Sequence, residues 1–101
     1  MALTKKQVKQ LRTLANHLNP LIIIGKNDLT EGAIGQTDET LEAHELVKCS
    51  VLDGSGLTAK EAAAELSEQL NAEVVQVIGN RFVLFRRSKR DSIGHIQLVR
   101  E

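Results

Sequence analysis

The chain has 101 residues, 42% hydrophobic and 26% charged, the size and composition expected of one soluble globular domain. Its formal net charge is zero, its single cysteine excludes an internal disulfide, and the lack of tryptophan and tyrosine leaves an aliphatic core around Phe82 and Phe85. The longest apolar run, Leu21 to Ile24, is far too short to cross a bilayer, and the charged start from Lys5 is unlike a signal peptide, so a reducing, cytoplasmic setting is expected.

Thr4 to Leu18 has helical periodicity. Val8, Leu11, Leu14, Ala15 and Leu18 fall in one apolar arc, with Lys5, Lys6, Lys9 and Arg12 opposite. Thr4 is a candidate cap, and Asn19-Pro20 ends the helix because proline disfavours helical geometry in the residue before it. Leu21 to Ile24 then reads as a short buried strand stopped by Gly25. Thr30 to Ala43 is the next helix, weakened by Gly32 and Gly35 at up to ~1 kcal/mol each relative to alanine. Leu46 to Leu52 alternates through Val47, Cys49 and Val51, which predicts a strand with Cys49 facing the core. Thr58 and Glu61 form a capping box before a helix carrying Ala62, Ala63, Leu66 and Leu70. Val74 to Ile78 and Phe82 to Phe85 are β-rich runs joined by the turn pair Gly79-Asn80. The order α-β-α-β-α-β-β implies a single compact α/β domain with one mixed four-stranded sheet. Residues 1–90 form the domain in this reading; residues 91–101 form a polar tail with room for a short strand around His95 to Val99.

Charge is unevenly spread along this order. Lys5, Lys6, Lys9 and Arg12 give residues 1–20 a charge of +4, residues 21–45 carry −5, residues 46–72 carry −2 and residues 73–101 carry +3. Basic ends around an acidic middle suggest a polarised surface with one face for an anionic partner.

One connection has the chemistry to meet a phosphate. Ile24-Gly25-Lys26-Asn27-Asp28-Leu29-Thr30 passes from a buried strand into a helix, whose free amides and positive dipole end attract anions. Gly25 leaves room for close backbone approach, Lys26 adds a mobile charge and Asn27 a hydrogen-bond donor. Neither a P-loop nor a dinucleotide fingerprint is present. A nearer physical relative is the GXXG loop with which KH domains clamp backbone nucleotides. Asp28 occupies the fourth position here, where it opposes a phosphate and is expected to cap the following helix.

The run from Leu11-Arg12-Thr13-Leu14-Ala15-Asn16-His17-Leu18-Asn19-Pro20 through Ile24-Gly25-Lys26-Asn27-Asp28-Leu29-Thr30-Glu31-Gly32 closely resembles the YhbY-like family of bacterial stand-alone CRM (chloroplast RNA splicing and ribosome maturation) domains. So do His44-Glu45-Leu46-Val47-Lys48 and Val75-Gln76-Val77-Ile78-Gly79-Asn80 leading into Val83-Leu84-Phe85-Arg86. The match runs from about Leu3 to Lys89 with the motifs in order. This resemblance implies a fold similar to the C-terminal domain of the third translation initiation factor, RNA binding, and association with precursors of the large ribosomal subunit. In the family the strand-to-helix loop is commonly G-x-x-G and meets RNA beside a basic surface; Asp28 departs from that pattern.

Residues expected to contact RNA are Lys5, Lys6, Lys9, Arg12, His17, Gly25, Lys26, Asn27, Arg81, Arg86, Arg87 and Lys89, with Arg90 in the same basic group. An RRM-like mode is disfavoured, because Phe82 and Phe85 fall on opposite strand faces and leave at most one for stacking. His17, His44 and Cys49 lack zinc spacing, and His44 is read as shaping a helix end. No catalytic residue, metal site or cofactor is therefore expected. The partner is RNA recognised by phosphate contacts and shape, with no membrane. The alternative is an adaptor that binds proteins through its segregated basic and acidic surfaces.

Overall fold

The computed structural model describes residues 3–25, 29–90 and 93–99. Three helices and four strands follow in the expected order: α1 (Lys5–Ala15), β1 (Ile22–Ile24), α2 (Glu31–His44), β2 (Leu46–Val51), α3 (Ala59–Leu70), β3 (Glu73–Ile78) and β4 (Arg81–Phe85). Each helix starts on a threonine. Thr4 and Gln7 form a capping box, Thr30 accepts a hydrogen bond from the Ala33 amide, and Thr58 and Glu61 form the second box. The cap of α2 is Thr30; Asp28, expected in that role, lies outside the described residues.

The sheet order is β1-β2-β4-β3. β1 and β2 are parallel, and β4 runs antiparallel to both β2 and β3. Hence β1, β2 and β3 point the same way, and the Gly79-Asn80 turn folds β4 back between two of them. Gly79 has φ 57°, the left-handed geometry that a tight hairpin requires.

The sheet separates two cores. On one face α2 and α3 bury Ile22, Ile24, Leu41, Val47, Cys49, Val51, Leu66, Phe82 and Leu84. On the other, α1 buries Leu11 and Ala15 against Leu46, Val75, Val83 and Phe85, with Ile96 and Leu98 packed alongside. The two phenylalanines therefore serve opposite cores, and neither is exposed. Leu14 and Leu18 are not covered as the apolar arc predicted; with Leu21 and Ile96 they line an open groove.

The segment 93–99 forms no strand. It lies along α1, where Gln7 and Gln10 donate side-chain hydrogen bonds to the carbonyls of Val99 and Gln97, and the Val99 amide donates to Gln10. Side-chain amides take the place of a partner strand. Gly32 and Gly35 do not prevent a 14-residue α2, and a methyl at Gly35 would meet nothing within 4 Å. Those glycines lower helix propensity without serving close packing.

Candidate nucleic-acid interface

Because three strands are parallel, their carboxyl ends share one edge, where α2 and α3 also begin. Such an edge is where open α/β sheets hold ligands. It is knitted by Leu52 donating to the Ile24 carbonyl at 2.8 Å and Val51 donating to the Asn80 carbonyl at 2.7 Å. Gly25 leaves β1 here, while Lys26, Asn27 and Asp28 lie outside the described residues. A β-carbon on Gly25 would approach only Leu52, at an ordinary 3.9 Å, and its backbone is outside the left-handed region. The fold therefore does not demand glycine at this position. One of the free α2 amides beyond it, that of Ala33, is already served by Thr30, and Glu31 sits in the first turn.

A set of unpaired cations adjoins this edge. Lys5, Lys9, Arg12 and Asn16 recur at helical spacing and share an arc of about 60° running roughly 16 Å along α1. All four are exposed. At the end of that stripe Asn16 meets Lys48 of β2 and Arg81 of β4 across a cleft on the open part of the sheet. Among the described residues, Lys5, Lys6, Lys9, Arg12, Lys48 and Arg81 have no ion pair. Lys6 lies further round the helix, and His17 is exposed in the turn after it. Lys48 was not singled out from the sequence; only the strand register, which places it on the α1 side of the sheet, reveals it.

The C-terminal basic residues are placed differently. Arg86 bonds Asp38 at 2.8 Å and Glu42 at 3.0 Å and donates to the carbonyls of Leu70 and Asp38. Arg90 pairs with Glu39 at 3.1 Å. Lys89 is exposed, its backbone amide bonded to Glu42. The charges segregated along the chain thus meet in space. A cleft of about 450 Å³ here is lined by Asp38, Glu42, Arg86, Arg87 and Lys89 and carries both signs.

Arg87 reaches Glu45, the residue that organises this end. Glu45 caps α2 at φ 66°, a backbone region that side chains other than glycine seldom occupy. Its fully buried carboxylate accepts from Arg87 at 2.9 Å, the Ser88 amide at 2.7 Å, the Ile96 amide at 2.7 Å and His95 Nδ1 at 2.8 Å. Burial by itself pushes the Glu45 carboxyl up; the bonds from His95, Ile96 and Ser88 and the Arg87 charge outweigh it and hold it below the usual glutamate value. Arg87 also lies over the Phe85 ring, 5.5 Å from its centre. From sequence Glu45 was only the residue after His44. A glutamate directly following a helix and directly preceding a strand was its one visible signal.

Cys49 is fully buried and its thiol is pushed up to about 12, which keeps it protonated and unreactive as a nucleophile. Among the described residues no three His, Cys, Asp or Glu side chains converge to hold a metal, and no helix is long and apolar enough to cross a membrane.

Comparison with known proteins agrees with this architecture. Residues 3–86 match the CRS1 / YhbY (CRM) domain. The chain is 39% identical over 89 residues to "Probable RNA-binding protein YqeI" of Bacillus subtilis, covering 88% of this chain and 93% of that one. It is 36% identical over 99 residues to an "RNA-binding protein" of Haemophilus influenzae, covering 98% and 97%. The solution structure of SAV1595 from Staphylococcus aureus superposes with a TM-score of 0.75 at 43% identity, over 94% of this chain and all of the other. With a family match across most of its length, relatives aligned nearly end to end and the same fold, the chain belongs to the CRS1/YhbY (CRM) domain family.

Proposed function

We propose that this protein binds structured RNA mainly through phosphate contacts, and that its RNA is ribosomal RNA in assembling large subunits. The observation that carries the reading is the row of unpaired cations from Lys5, Lys9 and Arg12 on α1 to Lys48 and Arg81 on the sheet. An exposed cation with no internal partner keeps its full attraction for a phosphate, whereas one already paired must give up a bond first. The names of the relatives, one an RNA-binding protein and one a probable RNA-binding protein, point the same way, and the ribosomal partner is what the family resemblance implies. The loop at Gly25 adds a backbone contact, with Lys26 and Asn27 beside it.

Nuclease footprinting on isolated precursor ribosomal RNA tests the whole reading. Protection of defined segments supports it; an adaptor that meets only proteins leaves no footprint. Gly25→Ala tests the loop separately. A methyl has room there, so the melting temperature stays unchanged while RNA affinity falls. Unchanged affinity removes the loop from the site.

A further inference from the structure

Asn16, Lys48, Gln76, Ile78, Arg81 and Val83 line a shallow cleft of about 140 Å³ between the end of α1 and the open sheet. Strand register builds it. Lys48 and Gln76 both stand opposite Val83, forming one row across β2, β4 and β3. Arg81 stands opposite Ser50 and Ile78 in the next row on the same face. With strands ~4.8 Å apart and ~3.3 Å per residue, the two rows span roughly 10 Å by 7 Å. α1 covers Val83 but stops short of the outer row, leaving Ile78 62% exposed.

Asn16, Gln76, Lys48 and Arg81 share a second property: among the described residues, none has a side-chain hydrogen bond or ion pair. Unlike the amides of Gln7, Gln10 and Gln69, which are bonded within the chain, these two stand in one cleft with two cations. Two unused carboxamides facing two unused cations suit a ligand that carries both a polar edge and negative charge. A carboxamide presents a donor and an acceptor side by side, matching the edge of a nucleobase, whereas lysine and arginine match phosphates. Room for roughly five water molecules suits one flat base and no duplex.

We infer that this cleft takes one unpaired nucleobase of a bound RNA, its edge against Asn16 and Gln76, its flanking phosphates against Lys48 and Arg81, and its face on Ile78. Ile78 supplies the apolar ledge that aromatic residues provide in other single-strand readers. The inference rests on the RNA-binding reading above and adds base discrimination to what is otherwise sequence-independent attraction.

The test uses labelled stem-loop RNAs identical except that every loop nucleotide is A, U, C or G, followed by fluorescence anisotropy over a salt series. The wild-type protein should prefer one loop by about fivefold to a hundredfold, the discrimination a well-placed pair of base contacts supplies. Asn16→Ala and Gln76→Leu should bring the four affinities together without changing the salt slope. Lys48→Ala and Arg81→Ala should weaken all four alike and flatten the slope. Asn16 is exposed and Gln76 half-buried, and a melting curve checks each variant; if Gln76→Leu fails to fold, Gln76→Met and Asn16→Ala carry the test. Equal binding of all four loops by the wild type, or a preference that survives in both amide variants, overturns the inference. Failure to bind any of the RNAs overturns the RNA-binding reading itself.

Discussion

The two basic regions of this protein contain similar residues and behave as opposites. Along α1 and the open sheet, Lys5, Lys9, Arg12, Lys48 and Arg81 have no acidic partner among the described residues. Beyond β4, Arg86, Arg87 and Arg90 are tied to Asp38, Glu42, Glu45 and Glu39. The first region has charge to spare for a ligand. The second uses its charge to join α2 and Glu45 to residues 86–90, with His95 and Ile96 on the same carboxylate. Formal charge therefore says little about where an anion binds; the number of bonds a cation already makes says more.

Removing Glu45 should break the second region most severely. Glu45→Ala leaves Arg87 without its buried partner and the Ser88 and Ile96 amides without an acceptor, and is expected to cost about 3–5 kcal/mol. Thermal unfolding should register this as a drop of well over ten degrees, since ~1 kcal/mol shifts a domain of this size by about 4–8 °C. A drop of only a few degrees would mean that other contacts hold the segment. Next in size is the first region's response. Reversing Lys9 and Arg12 to glutamate should lower RNA affinity by about a hundredfold, taking each charge-assisted contact as ~1.5 kcal/mol. It should also flatten the slope of log K against log salt by about 0.7 per contact for single-stranded segments, and an unchanged slope would take α1 out of the site.

Arg86→Ala supplies the reverse control. It removes bonds to Asp38 and Glu42 and should cost ~1–3 kcal/mol of stability while leaving the salt slope as it was. A flattened slope would place Arg86 in the interface and collapse the distinction between the regions. The smallest effect is one of pH. Because the Glu45 carboxyl is held below its ordinary 4.5, its contribution is complete above that value and is lost as pH falls through the lower folded value. Urea unfolding of wild type and Glu45→Gln should accordingly differ most near neutral pH and converge in acid. A gap that stays constant would show that the carboxylate's charge is not what stabilises this end.

Much of the fold is legible in the sequence, and the differences have a physical reason. Thr58 with Glu61, the 3.6-residue spacing of Leu11 and Ala15, and the alternation through Val47, Cys49 and Val51 located their elements because each signal is local. Leu14 and Leu18 belong to the same apolar arc yet stay open, since burial depends on what the sheet offers opposite them. Among the expected contact residues, Arg86 and Arg87 could not be distinguished from Arg81 by type or position in the chain. Their partners lie more than 40 residues away, and only the packing of residues 86–90 against α2 brings them together.

The sequence alone, then, carried the order of helices and strands, the caps that start α1 and α3, and the family. Those features depend on residues within a turn or two of one another. Tertiary structure alone decided that Glu45 would be a buried hub, that Lys48 and Gln76 would share a row across the sheet, and that one set of cations would be consumed internally while another stayed free. Each of these is a pairing between distant segments, set by strand register and by which helix covers which part of the sheet, and no local periodicity encodes it.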